Sequence, residues 1–350
     1  MSIWIGFSQE GLKIKEKDVK FFNVNEEPFR IYGLPDNRSG FRRLPDSISE
    51  KAPNVKPHSF TSAGVRVRFE TDSPYVAVRI KHGDYNFGSP NACKIAHSGI
   101  DLYFIKCGKQ VYHSSFTPPL DTENGYEGIK YLPDGLKQIT LYLPILSEVY
   151  ALEVGIKENS SLNRHPDYKT EKPVVFYGSS ITQGIAASRP GNIYESMISR
   201  NLDCNFVDLG FSGSCKGETA LAEYISELEM SAFVFDYDHN APDVRHLENT
   251  HEAFYKIIRN AQHELPIIFV TRPEPELSED TQARRAVIAR TFLNARDNGD
   301  KNVYLIDGRT FFGNIGISDC TADGTHPNDL GMYFMSQGIG GILHEIFCML

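Results

Sequence analysis

The chain has 350 residues, 41% of them hydrophobic, and a formal net charge of −9. That length exceeds one ordinary domain and supports sizeable cores, so two domains are expected. Acidic and basic residues are mixed along the chain, which argues against a nucleic-acid partner and leaves no basic patch for a membrane surface. The six cysteines, Cys93, Cys107, Cys204, Cys215, Cys320 and Cys348, have no CxxC spacing. They are too sparse for a disulfide scaffold and read as reduced thiols, with no zinc site. The opening MSIWIGFSQEG lacks a basic region followed by a long apolar run, and no stretch is long enough to span a bilayer. A cytoplasmic protein is the expectation.

Residues 1–157 read as a β-rich domain. Val65, Val67 and Phe69 alternate with Arg66, Arg68 and Glu70. Val76, Val78 and Ile80 repeat the pattern, and so do Ile139, Leu141 and Leu143. A period of two means one face buried and one wet. Turn-formers divide the segments: Thr71-Asp72-Ser73-Pro74, Asp84, Gly88-Ser89-Pro90 and Pro133-Asp134-Gly135. No long helical period appears, so an antiparallel β-sandwich is expected. The polar stretch 158–171 loses the alternation and reads as a linker.

The rhythm changes in 172–350. Strands are expected at Val174–Tyr177, Asn205–Leu209, Ala232–Asp236, Ile267–Thr271 and Val303–Ile306. Helices are expected at Ile193–Leu202, Glu218–Glu229, Leu247–His263, Asp280–Asn298 and Leu330–Phe347. Strands alternating with helices predict a parallel sheet covered on both faces. The carboxyl edge of such a sheet is where ligands bind. Five groups fall there: Ser180; Gly210 to Ser214; Asp236 to Asn240; Thr271-Arg272-Pro273; and Asp323 to Pro327.

These groups suggest a chemistry. A serine hydroxyl needs a base within hydrogen-bond reach to act as a nucleophile. His326 suits that role, because an unperturbed imidazole titrates near neutrality. Asp323, on the same loop, is placed to accept from the other ring nitrogen and fix the tautomer. A developing oxyanion needs donors already in place. The N–H of Ser180, the N–H of Gly213 and the side-chain amide of Asn240 are the candidates. Arg272 is a candidate contact for an anionic or sugar group, with a structural salt bridge as the other reading. Tyr194 and Arg189 are candidate cleft residues, and His239 reads as a loop histidine without a role.

The ordered set Gly178-Ser179-Ser180, Gly213, Asn240 and Asp323-Gly324-Thr325-His326 resembles the SGNH (GDSL-type) hydrolase superfamily. The resemblance covers roughly 172–350 and implies a flavodoxin-like three-layer α/β/α domain that hydrolyses acyl esters with Ser180, His326 and Asp323. Two departures stand out. Ser179 replaces the acid of the GDS string, and Asp238-His239-Asn240-Ala241 keeps only the asparagine of the third block. Gly99-Ile100-Asp101-Leu102-Tyr103 looks like the GxDLY signature of a β-sandwich found ahead of such hydrolases, where Asp101 and Tyr103 read as structural.

The expected activity is that of a serine esterase working through an acyl-enzyme, without metal or cofactor. A short-chain ester, such as the O-acetyl group of a carbohydrate or other small molecule, is the expected substrate, since no greasy lid segment is evident. The same scaffold admits an acyltransferase or a lysophospholipase-like acylhydrolase. Two readings come from other classes. Asp236-Tyr237-Asp238 at a strand end superficially matches a magnesium-dependent phosphatase loop. A non-catalytic carbohydrate-binding protein with a degenerate hydrolase domain is the other. The sequence leaves the oligomeric state open, a homo-oligomer included.

Overall fold

The computed structural model describes residues 14–35, 40–83, 90–122, 124–274 and 278–349. The expected turn residues Asp84, Gly88 and Ser89, and the opening stretch MSIWIGFSQEG, lie outside them. The first half supplies β1 (Val19–Asn23), β2 (Arg30–Tyr32), β3 (Arg66–Thr71), β4 (Tyr75–His82), β5 (Ile100–Lys106), β6 (Lys109–Phe116), β7 (Gly125–Tyr131), β8 (Lys137–Tyr142), β9 (Val149–Lys157) and β10 (Leu162–Asn163). One sheet runs β1-β9-β4-β7; the other runs β10-β3-β8-β5-β6, with β2 added beside β3. Every pairing in both is antiparallel. The alternating apolar residues interleave between the sheets: Val67 and Phe69 from β3, Val76, Val78 and Ile80 from β4, Ile139 and Leu141 from β8, Leu152 and Val154 from β9.

The face of β3 expected to be wet is buried. Arg66 is 0% exposed and Arg68 is 2% exposed. The second half of the chain covers them. Arg66 stacks on Phe206 at 3.8 Å and donates to the Phe206 carbonyl at 3.1 Å and to Asn205 Oδ1 at 2.7 Å. Arg68 stacks on Tyr168, again at 3.8 Å. A polar strand face is therefore a docking surface here, with the guanidinium planes lying on aromatic rings.

The segment 158–171, expected as a polar linker, is ordered. Leu162 and Asn163 pair with β3. His165 and Tyr168 are buried, and Tyr32 Oη donates to Asp167 at 2.6 Å. The strap runs directly into β11 (Thr170–Gly178), whose first pairing, Thr170 with Cys204, precedes an irregularity before Val174.

From there α1 (Ser180–Gln183), α2 (Tyr194–Leu202), β12 (Cys204–Gly210), α3 (Thr219–Ser226), β13 (Ala232–Asp236), α4 (Val244–Ala261), β14 (Ile267–Val270), α5 (Glu279–Asp297), β15 (Val303–Ile306) and α6 (Asp329–Met349) follow. The five strands are parallel in the order β12-β11-β13-β14-β15. This is the expected flavodoxin-like sheet. Val174 and Phe176 of β11 face α2 and α6, where Ile198, Met335, Ile339 and Leu343 pack. Val175 and Tyr177 face α3, α4 and α5, where Leu221, Leu247, Phe254 and Ile288 pack. Burial on both faces explains why the strand reads as an unbroken apolar run. Asp243 caps α4 by accepting from His246 N at 2.7 Å, and Ser278 caps α5 by accepting from Thr281 N at 3.1 Å.

The strand order reverses at β11: β12 lies on one side and β13 on the other. Such a switch point leaves a crevice beyond the strand ends. Ser180 is the second residue after β11 and stands at that point.

Candidate active site

The turn that carries Ser180 is built by close packing. A Cβ on Gly178 would stand 2.0 Å from Thr182 Oγ1 and 2.5 Å from the Asp236 carbonyl, so only glycine lets α1 fold back onto the strand end. Ser179 caps α1, its hydroxyl accepting from Ile181 N at 3.2 Å. Gly184, at φ +93, ends it in the left-handed region. Ser180 is thereby the first helical residue, 7% exposed, in the helix turn whose N–H groups have no partner within the helix.

His326 and Asp323 arrive on the loop before α6. Ser180 Oγ lies 2.9 Å from His326 Nε2. His326 Nδ1 lies 2.7 Å from Asp323 Oδ2. Asp323 Oδ1 accepts from the N–H of Thr325 at 3.0 Å and of His326 at 2.8 Å. Burial alone would raise the Asp323 pKa, but the backbone and ring donors of His326 outweigh it and take the carboxyl down to about 2. The acid is an anion at any ordinary pH, suited to stabilise an imidazolium.

Gly213 sits at φ +65 on the exposed loop after β12, with nothing within 4 Å of where a Cβ would stand. The left-handed backbone favours glycine there. Asn240 ends the turn after β13. Its Nδ2 donates to the Phe211 carbonyl at 3.0 Å, which ties the two loops together and leaves the second amide proton for another acceptor.

The three other candidates lie elsewhere. Tyr194 is fully buried, edge-on to Phe176 and 3.2 Å from Thr182 Oγ1, so it belongs to the core and presents no surface to a ligand. Arg189 turns away to the sandwich, donating to Asp101 Oδ2 at 2.8 Å and Tyr103 Oη at 2.6 Å, with its guanidinium over Tyr112. Arg272 is held by Asp238 at 3.4 Å and Glu274 at 3.4 Å, which is the salt-bridge reading. The phosphatase reading fails on the same loop. Asp236 is 2% exposed, with burial and then Asp238 pushing its carboxyl well up, and Asp238 is locked by Arg272 and Arg284. Neither carboxylate is presented to a substrate. His239 is neutral: burial, then Arg272 and His326, depress its pKa to about 3.

Spacing in the sequence missed several residues. Gln183 accepts from Ser212 N at 2.8 Å and donates to Thr61 Oγ1 at 3.3 Å, so it fastens the Gly213 loop to α1 and to the first half. Asp101 and Tyr103 of the GxDLY string are not confined to the sandwich. Asp101 Oδ2 also accepts from Gly191 N at 2.9 Å, beyond the turn that carries Ser180. Asn91 Nδ2 donates to Asp323 Oδ2 at 2.6 Å, across 232 residues of chain. A groove of about 970 Å³, lined by Arg30, Tyr32, Glu171, Lys172 and Asn205, lies at the amino ends of β11 and β12, away from Ser180.

A parallel 2-1-3-4-5 sheet with a serine, a histidine and an aspartate in hydrogen-bonded series at its carboxyl edge, preceded by a sandwich, defines a two-domain SGNH hydrolase. The chain belongs to the GDSL-like lipase/acylhydrolase family, whose profile matches residues 171–344, with the GxDLY N-terminus of SGNH-type esterases matching residues 19–162. It is a carboxylic ester hydrolase by family. Similar structures include a protein from Bacteroides ovatus assigned as a GDSL-like lipase, at 27% identity and TM-score 0.84, covering 94% of this chain and 98% of that one. The salicylyl-acyltransferase SsfX3 of a tetracycline biosynthetic pathway is 20% identical at TM-score 0.78, covering 95% and 98%. A family two carbohydrate esterase from Clostridium thermocellum, in complex with cellohexaose, is 15% identical at TM-score 0.58, covering 82% and 94%. Comparison with curated proteins returns no match. Among the described residues no helix is long and apolar enough to cross a membrane.

Proposed function

We propose that the protein is a serine esterase that removes a short acyl group, of the O-acetyl class, from a carbohydrate or other small alcohol through an acyl-enzyme. The observation that carries this is the relay Ser180 Oγ, His326 Nε2, Asp323, with both links under 3 Å at 2.9 and 2.7 Å. His326 takes the hydroxyl proton as Ser180 Oγ attacks the ester carbonyl. The tetrahedral oxyanion is received by the N–H groups of Ser180 and Gly213 and the second amide proton of Asn240. His326 then returns the proton to the departing alcohol. Water, deprotonated by the same ring, releases the acid. Asp323 stays ionised and stabilises the imidazolium.

The polarity of the rim supports a small polar substrate. Asn91 and Thr325 bond Asp323 directly, and Ser212 and Asn240 fasten the Gly213 loop to Gln183 and to the turn after β13, so the side chains and loops tied to the relay are polar. The fold is shared with a carbohydrate esterase and with an acyltransferase, a likeness that supports an ester-type acyl group as the substrate of this reading.

The test is turnover of p-nitrophenyl acetate, butyrate and octanoate, with acetylated xylo- and manno-oligosaccharides beside them, by the wild type and Ser180→Ala. Short-chain preference, deacetylation of the sugars and a dead mutant are expected. Activity confined to octanoate would remove the substrate class. Undiminished turnover by Ser180→Ala would remove the nucleophile.

A further inference from the structure

We propose that Asn91, contributed by the sandwich half of the chain, is a positioning residue for Asp323, so that the two halves together complete the relay. The inference rests on reading Ser180, His326 and Asp323 as the reacting set. Asp323 receives four donors. Three come from its own loop: Thr325 N and His326 N on Oδ1, and His326 Nδ1 on Oδ2. The fourth, Asn91 Nδ2 at 2.6 Å on Oδ2, is the one anchored elsewhere.

Donors on the same loop move with it. That loop includes Gly324 at φ +84, and the Asp323 side chain is 32% exposed, so the loop alone holds the carboxylate weakly against rotation and against competing water. Asn91 stands on a firmer base. Cys93 Sγ donates to the Ser188 carbonyl at 2.8 Å. The helical turn Lys94–Ser98 that follows is tied through Ile145 N to the Ala96 carbonyl at 3.0 Å, and Lys94 Nζ donates to the Thr122 carbonyl at 3.0 Å. The strand after that carries Asp101 and Tyr103, which grip Arg189. Asn91 therefore fixes Oδ2 relative to the body of the protein.

The residue type fits the task. An amide donates without a charge, so it orients the carboxylate and leaves its full negative charge to the imidazolium. A lysine or arginine would neutralise it. A serine, with a shorter side chain, would not reach from the same backbone.

The experiment measures kcat and KM for p-nitrophenyl acetate against pH, in wild type, Asn91→Ala, Asn91→Asp, Asp323→Ala, Asn91→Ala/Asp323→Ala and Ser180→Ala. Asn91→Ala is expected to lower kcat roughly tenfold with KM little changed, the size of one charge-assisted hydrogen bond. In the Asp323→Ala background the same change is expected to have no further effect, because Asn91 acts through Asp323. Asn91→Asp sets a second carboxylate beside the relay, stabilises protonated His326, and moves the acid limb of kcat/KM to higher pH. Full kcat in Asn91→Ala beside a dead Ser180→Ala overturns the inference alone. An equal loss in both backgrounds, or an unmoved acid limb in Asn91→Asp, assigns a merely structural role and also overturns it. An active Ser180→Ala overturns the underlying site and this inference with it.

Discussion

The guanidinium of Arg43, wholly buried, lies 2.6 Å from the carbonyl of Gly210 and 3.3 Å from Asp208 Oδ1. An arginine of the first half thus holds the end of β12 and sets the position of the loop that carries Gly213. Its remaining donors go to the His58 and Thr61 carbonyls and Thr61 Oγ1. Burial raises the Asp208 carboxyl to about 6 even though Arg43 opposes it. Replacing Arg43 by alanine strips the partner from a buried acid and orphans several carbonyls. We expect a loss of about 3–5 kcal/mol in urea unfolding at neutral pH, the usual cost of breaking a buried pair from one side. A midpoint within error of the wild type would show that the contact carries no such weight.

Asn240 Nδ2 holds the Phe211 carbonyl, and the proposed mechanism gives its second amide proton to the oxyanion. Asn240→Ala is expected to reduce kcat by about 10²–10³-fold, as for other single oxyanion donors, with KM little affected. Asn240→Asp is expected to be as poor, because the carboxylate repels the developing charge. A wild-type kcat in the alanine variant would leave Ser180 and Gly213 as the whole oxyanion site.

Four histidines are held neutral by burial, with His58 and His165 at about 4 and His239 and His251 at about 3. Each folded-state value lies below the ordinary value of about 6.5 in an unfolded chain. Between those limits the unfolded state binds more protons, so stability is full above about pH 6.5 and falls as pH drops through the window. Acid sensitivity well above the carboxylate range is therefore expected. His251, stacked on Phe235 at 4.5 Å and hydrogen-bonded to Thr291 at 2.9 Å, is remote from the relay. His251→Gln should lower the slope of unfolding free energy against pH between 6 and 4 by about one proton, roughly 1.4 kcal/mol per pH unit. An unchanged slope would mean His251 titrates normally in the folded protein.

Asp323 acts in the opposite direction. Its folded pKa of about 2 lies below the ordinary carboxylate value, so its contribution is present at neutral pH and is lost only as pH falls towards 2. It cannot account for instability near pH 5.

The sequence by itself determined the parallel sheet, its five strands and long helices, and the tight turn that carries Ser180. Local signals suffice for these: β11 is apolar on both faces because both are covered, and Gly178 is required because α1 folds back within a few residues. The Asp-x-x-His pair was equally legible, since both residues share one loop. Only the tertiary structure decided which polar residues serve the site. Arg189 and Tyr194 follow the serine closely, yet one grips Asp101 and the other packs against Phe176, because a side chain's direction depends on what the rest of the fold sets against it. The alternation in β3 gave its apolar face correctly and its polar face wrongly: Arg66 meets Phe206 in place of water. Asn91 had no local signal at all. It meets Asp323 because the first half of the chain packs along β12 and reaches Ser188 and the Asp323 loop, and no spacing along the chain encodes a contact that depends on how the two halves close on each other.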